Sequence, residues 1–208
     1  MRDFIWTTDS EPHAKERHKI IQKYPGIKSL AGSEYKSKYI SFIIVVTLLT
    51  LSVITSKMSF INYVVCVYIV GGTLMQSLFL AIHELSHNLF FDKMIINRFY
   101  AMFCNLPIIF PFTESFRFHH IRHHTYQGVD NVDSDIPSKI EAILFRHTIG
   151  KAIWYNFQLI FYALRPVFTT SQPFTKYLAY NIIIQCIFNL LIYKIYGIQP
   201  FIFLLLSM

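Results

Sequence analysis

The chain has 208 residues and a net charge of +7, with 53% hydrophobic, 17% aromatic and only 15% charged residues. The charged share lies well below the roughly one quarter that is usual in soluble domains, which argues against a soluble protein. The basic residues stand in blocks beside apolar runs, a pattern that indicates membrane sidedness and argues against a nucleic-acid partner. The three cysteines lie in apolar stretches without a CxxC pair, so neither disulfides nor a zinc site is expected.

The chain starts with a polar segment. Residues 1–38 contain eight Lys or Arg and five Asp or Glu, and residues 15–24 are expected to form a helix that stops at Pro25 and Gly26. No signal peptide is visible, so the first apolar segment is expected to act as an internal signal anchor. The Met-Arg start also lacks the glycine that N-myristoylation requires. We predict an N-terminal segment over residues 1–38 and a membrane domain over residues 39–208.

The apolar runs predict an all-α integral membrane helical bundle. A membrane helix needs roughly 17–25 residues, and three runs meet this length: residues 39–56, 58–82 and 177–193. Residues 99–113 are broken by Pro107 and Pro111, which predicts an interfacial or re-entrant segment. The aromatic stretch 152–164 is predicted to be one helix in the interface. The run over residues 202–208 is expected to begin a fourth span.

Two histidine clusters follow the second predicted span. His83 and His87 are four residues apart, where the span leaves the membrane, and His120, His123 and His124 also share one helical face. Imidazoles at such spacings bind transition metals. The positive-inside rule puts the N-terminal segment and residues 114–151, which contain the second cluster and five Lys or Arg, in the cytosol. The sequence therefore predicts a cytosolic metal site with these five histidines as ligands.

The choice of metal rests on both clusters together. The stretch from His83 to His87 also fits the H-E-x-x-H pattern of zinc proteases, with Glu84 as general base. That interpretation leaves the second cluster without a role, so we favour two irons, with Glu84 orienting an imidazole through its other N–H. Asn88 either hydrogen-bonds near the metal or caps the helix. Asp133 and Asp135 either orient imidazoles or belong to a solvated turn, and the turn is favoured.

These motifs resemble the membrane fatty-acid desaturase superfamily and, more narrowly, the sphingolipid Δ4-desaturases, also called dihydroceramide desaturases. The two histidine boxes carry the broader resemblance. The narrower one rests on the stretches Asp3–Trp6, Glu11–Ala14, Lys23–Lys28, His83–Asn88, Asp133–Pro137 and Tyr162–Pro166. The family's third box, H-x-x-H-H, is not among these 208 residues. The chain is therefore expected to be a fragment or a naturally shortened protein.

The resemblance implies a di-iron oxidoreductase that uses O2 to introduce the C4–C5 trans double bond of ceramide into dihydroceramide. It also implies electrons from NADH, delivered through cytochrome b5 and its reductase. The implied location is the endoplasmic reticulum membrane, with the N-terminus and both boxes facing the cytosol. Two alternatives remain open: C4 hydroxylation of the same lipid, and a truncated, inactive membrane protein that acts as a partner of a full-length desaturase.

Overall fold

The computed structural model describes residues 12–130, 132–168 and 171–208, and every regular element in these ranges is helical. The all-α prediction is therefore confirmed. The motif stretch Asp3–Trp6 lies outside the described residues. The chain divides into two compact units. The polar unit consists of Met1–Ala31 and Phe118–Pro173, and the membrane unit consists of Gly32–Arg117 and Phe174–Met208.

The membrane unit contains three helices that are long and apolar enough to cross a bilayer, as predicted. They are α2 (Ser37–Ile54), the span Phe60–Ser86 and α10 (Lys176–Tyr196). The second span is composed of α3 (Phe60–Val65), a π-helical turn (Cys66–Gly71) and α4 (Gly72–Ser86). Helices satisfy their backbone hydrogen bonds internally, which is why uncharged runs of this length adopt them in hydrocarbon.

A sharply bent pair of helices lies between the second and third spans. The first arm is α5 (Met94–Asn105) with a 3-10 turn (Leu106–Ile108), and the second arm is α6 (Thr113–Thr125). The two arms meet at 116°, so the pair is either a re-entrant loop or a broken fourth span. Pro107 and Pro111 lie at the break, as the sequence predicted, because proline cannot donate a backbone hydrogen bond.

Helix α4 lies at the centre of the membrane unit, against α2 and α5. The fully buried side chains of this core include Leu48, Met75, Leu78 and Phe203. Phe203 belongs to α11 (Gln199–Leu206), which packs against the π-helical turn. This approach is close, since a Cβ added to Gly71 would lie 3.0 Å from the Cβ of Ser207.

The polar unit holds five shorter helical elements and the second half of α6. They are α1 (Pro12–Lys23), a 3-10 helix (Pro25–Leu30), α7 (Lys139–Leu144), α8 (Thr148–Asn156) and α9 (Gln158–Phe168). The end of α1 before Pro25 agrees with the prediction. The single helix predicted over residues 152–164 is wrong, because Phe157 leaves the helical conformation (φ −107°, ψ 13°) and separates α8 from α9.

Candidate metal centre

The first histidine box occupies the last turn of α4, in the membrane unit. The i, i+4 spacing brings the rings of His83 and His87 together, with their centroids 5.0 Å apart. Nδ1 of His83 lies 3.1 Å from Oε1 of Glu84. An imidazole whose Nδ1–H donates to a carboxylate binds a metal through Nε2 with a fixed ring orientation. Glu84 therefore has the contact that an orienting carboxylate needs.

Asn88 ends this helix in the left-handed conformation, with φ of 62°. The N–H of Asn88 donates to the carbonyl of Leu85 at 3.0 Å, and the N–H of Leu89 donates to that of Glu84 at 3.2 Å. These two bonds form a Schellman cap, in which asparagine is one of the few residues that tolerate a positive φ. Of the two roles considered for Asn88, the backbone geometry supports the helix cap.

The first turn of α6 lies against the end of the first box, within the membrane unit. The ring of Phe116 is 6.4 Å from that of His83, centroid to centroid. Arg117 donates from Nη1 to the carbonyl of Ser86. One turn earlier, Glu114 accepts from Nε of Arg98 at 3.0 Å, and its side chain is only 4% exposed. Buried charges are stable only when they are paired in this way. The ion pair with Arg98 and the hydrogen bond to Ser86 therefore hold the start of α6 in place.

The second histidine box lies on the part of α6 that belongs to the polar unit. The Nε2 atoms of His120 and His124 are 3.1 Å apart, as expected for side chains one turn apart on one face. His123 faces a carboxylate instead, with its Nδ1 2.9 Å from Oδ1 of Asp133. The imidazoles of this box therefore divide into a close pair and a third ring held by an aspartate.

Asp133 is 1% exposed, so the favoured interpretation of a solvated turn is wrong for this residue. Its Oδ1 accepts from His123 and from the N–H of Asp135 at 2.8 Å, and its Oδ2 accepts from the N–H of Gly128 at 2.8 Å. Three donors stabilise a buried carboxylate that would otherwise be costly. Asp135 contributes more weakly, with Oδ2 3.6 Å from the same imidazole nitrogen.

A buried ion pair supports the turn that carries Asp133. Arg165 donates from Nη1 to the carbonyls of Ser134 (3.0 Å) and Asp135 (3.1 Å). Its Nε and Nη2 bind the Glu141 carboxylate at 3.1 and 2.8 Å, and Trp154 donates to the same carboxylate at 2.9 Å. Burial raises the pKa of Glu141, but the hydrogen bonds from Arg165 and Trp154 lower it more, so the pKa lies below its ordinary value.

Sequence reasoning missed this support. Trp154 was considered only as part of the interfacial stretch 152–164, and Arg165 was only part of a motif. Asn97 was missed as well. It is fully buried, and its Oδ1 accepts from the N–H groups of Phe90 and Phe91, which follow the first box. The available signal was a charged residue, Arg165, or a carboxamide residue, Asn97, within an otherwise apolar helix, because such a residue needs a buried partner.

The donor set of both boxes fits a transition metal. Imidazole nitrogens are the dominant donors, and two of the rings, His83 and His123, are held by carboxylates as metal-bound imidazoles are. Within the polar unit, the ligand atoms of His123, Asp133 and Asp135 lie within 4.8 Å of one another. The zinc-protease role for Glu84 explains neither the second box nor its aspartate.

Comparison with known proteins agrees with this chemistry. The family model described as "Fatty acid desaturase" matches residues 58–207, which include both histidine boxes. The chain belongs to the fatty acid desaturase family. This is a family of oxidoreductases, and the three apolar spans make the chain a multi-pass membrane protein of that family. A second model, described as "Sphingolipid Delta4-desaturase (DES)", matches residues 1–36.

Curated desaturases from distant organisms are similar along nearly the whole chain. The sphingolipid delta(4)-desaturase of Schizosaccharomyces pombe is 43% identical, covering 95% of this chain and 55% of its own length. The desaturases named DES1 of Drosophila melanogaster (39% identical) and Homo sapiens (38%) cover 99% and 98% of the chain. The chain spans 64% of the length of each of those two. No solved structure matches the chain.

Proposed function

We propose that the protein is a sphingolipid Δ4-desaturase that converts dihydroceramide into ceramide by introducing a C4–C5 trans double bond with O2. The support is the name shared by relatives from yeast, fly and human at 38–43% identity, together with the match of the sphingolipid-desaturase model to residues 1–36. The names of these relatives favour desaturation over C4 hydroxylation and over a purely non-catalytic partner.

We further propose that both histidine boxes bind one di-iron centre. The proposed ligands are His83, His87, His120, His123 and His124. The observation that carries this proposal is the carboxylate contact in each box, from Glu84 in the first and from Asp133 in the second. A bound di-iron centre would activate O2, the oxidant, for attack on unactivated C–H bonds, which protein side chains alone cannot oxidise.

The continuity of α6 gives a second line of support. Phe116 and Arg117, near the start of α6, contact His83 and Ser86 at the end of the first box. His120 follows Phe116 by four residues in the same helix, which is slightly more than one turn. One helix therefore begins beside the first box and carries the second along the same chain segment.

The residues of the chain hold and orient the groups that such a reaction needs. Glu84 and Asp133 fix the tautomer and ring direction of His83 and His123 by accepting their Nδ1–H. The apolar spans provide a hydrocarbon environment for a long-chain lipid. We also propose electrons from NADH through cytochrome b5 and its reductase, and an endoplasmic reticulum location with the N-terminus and boxes in the cytosol. The eight Lys or Arg among residues 1–38 support that orientation.

The test is conversion of deuterium-labelled dihydroceramide by the full-length protein in a host without Δ4-desaturase activity. Mass spectrometry distinguishes loss of two hydrogens from gain of oxygen, and iron per chain is measured on the purified protein. We expect the Δ4 product and bound iron, both lost in His123→Ala and both kept in His18→Ala, which alters an exposed histidine of α1. A 4-hydroxylated product alone would refute desaturation, and wild-type protein with zinc instead of iron would refute the di-iron centre.

A further inference from the structure

The break between α5 and α6 exposes backbone groups within an apolar part of the chain. A helix of continuous hydrogen bonds would satisfy these N–H and C=O groups, but the bend of 116° prevents this. Unsatisfied backbone groups in hydrocarbon cost several kcal/mol each. The fold must therefore supply other partners for the segment Leu106–Thr113.

Asn105 supplies the local partners. Its Nδ2 donates to the carbonyl of Phe110 at 2.6 Å, and its Oδ1 accepts from the N–H groups of Phe112 (2.9 Å) and Thr113 (3.1 Å). The side chain is completely buried. Asn105 thus closes the turn and binds the first backbone N–H of α6.

The remaining partners come from α10, the third apolar span. Asn181, Gln185 and Asn189 recur every four residues and so form one polar stripe on this helix, here called the carboxamide stripe. Gln185 accepts from Nδ2 of Asn105 at 2.5 Å and donates to the carbonyl of Leu106 at 3.2 Å. Asn189 donates to the carbonyl of Ile109 at 2.8 Å.

Asn181, at the other end of the stripe, contacts the first turn of α6. Its Oδ1 accepts from the hydroxyl of Thr113 at 3.2 Å and from the N–H of Glu114 at 3.4 Å. Side-chain oxygens that accept from N–H groups of the first helical turn act as caps and fix the helix start. Here the capping oxygen comes from another span, and it is fully buried.

We propose that the carboxamide stripe positions the helix that carries the second histidine box. By binding the break and capping α6, the stripe fixes the first turn of α6, in which Phe116 contacts His83 and Arg117 contacts the end of the first box. Its members are positioning residues, because they act through the backbone of α6. An effect of the stripe on catalysis rests on the proposed desaturase function, whereas its effect on the position of α6 does not.

The test uses the full-length protein in lipid nanodiscs, with Asn181→Leu as the main variant. The readout is hydrogen–deuterium exchange of the α6 first turn, with iron per chain measured in parallel. We expect exchange at Glu114 to rise about tenfold or more, as for a lost buried hydrogen bond, and iron per chain to fall. Thr50→Val is the matched control, since the Thr50 hydroxyl bonds to the Val46 carbonyl of its own helix α2, and it should change neither quantity.

A second variant probes the same contact from the other side. Thr113→Val removes the hydroxyl that donates to Asn181, so it should raise exchange in the same turn, and its effect should largely vanish in the Asn181→Leu background. Unchanged exchange in α6, or a rise spread equally over α2, would overturn the positioning role even if the Δ4 product is normal. Conversely, wild-type protein without the Δ4 product but with the expected exchange pattern would refute the proposed function alone.

Discussion

Replacement of Arg165 by methionine should strongly destabilise the polar unit. The guanidinium donates four hydrogen bonds, two to the Glu141 carboxylate and two to the carbonyls of Ser134 and Asp135. The side chains of the ion pair are 4% and 12% exposed, so water does not replace the lost partner. Loss of one member of a buried pair costs about 3–5 kcal/mol, because the other charge stays buried and uncompensated.

Two comparisons separate this effect from a general loss of charge. Arg165→Lys keeps the charge but cannot span the carboxylate and both carbonyls, so we expect a smaller loss of about 1–3 kcal/mol. Lys139→Met removes an ion pair of the same unit, 2.7 Å from Asp130, whose side chains are 64% and 35% exposed. An exposed pair contributes about 0–1 kcal/mol, and we expect no larger loss there.

The assay is the free energy of unfolding of the polar unit in detergent, measured by pulse proteolysis across a urea series. Arg165→Met combined with Glu141→Gln should recover part of the lost stability, because the uncompensated carboxylate is then removed. Equal losses in Arg165→Met and Lys139→Met would refute the reasoning, since they would show that burial does not strengthen the Arg165 pair.

The same ion pair predicts a pH dependence. The pKa of Glu141 lies below its ordinary value of 4.5 in the folded chain. A depressed carboxyl pKa stabilises the fold above the unfolded-state pKa, and this contribution is lost as pH falls through the folded-state pKa. We therefore expect the polar unit to lose stability below about pH 4.5, and Glu141→Gln to weaken that acid sensitivity in the same assay.

Three further predictions concern the two histidine boxes and the core. Asp133→Asn places an amide against three donors, so iron affinity should fall about 10–100-fold, whereas Asp130→Asn should leave iron per chain unchanged. Asn88→Gly should be tolerated and Asn88→Val should cost about 1–2 kcal/mol of unfolding free energy, because the position requires a positive φ; equal stability would contradict the cap. Gly71→Ala should cost about 1–3 kcal/mol through overpacking against α11. Gly72→Ala, whose nearest neighbour would be 3.8 Å away, should be nearly neutral in the same thermal unfolding measurement.

The spans and the two histidine boxes could be predicted because each depends on local sequence. Hydrocarbon selects for uncharged runs of fixed length, so the predicted runs 39–56 and 177–193 correspond to α2 and α10 within a few residues. The helical spacing alone brings His83 close to His87. The break of the bent pair could be predicted in the same way, since proline has no backbone N–H and therefore interrupts a helix at its own position.

The features that sequence reasoning missed depend on partners that are distant along the chain. Asp133 looked like part of a solvated turn because Arg165, which supports that turn by binding the carbonyl of Ser134, lies 31 residues after Ser134 in the chain. The carboxamide stripe was passed over because Asn181 and Gln185 hardly lower the hydropathy of a long apolar run, and their partners lie on other helices. Burial of polar groups is set by tertiary structure, which a linear pattern does not contain.

The π-helical turn Cys66–Gly71 lets the second span hold an additional residue between α3 and α4. A π turn accommodates one residue more than the corresponding α-helical turn, and each residue of an α-helix advances by about 100° around the axis. Deletion of a single residue there would let ordinary α-helical bonding resume and would leave the end of α4 facing the same way relative to α3, because the π turn already absorbs the extra residue. A one-residue insertion or deletion within the regular part of α4 would instead turn His83 and His87 by about 100° around the helix axis, away from their present neighbours.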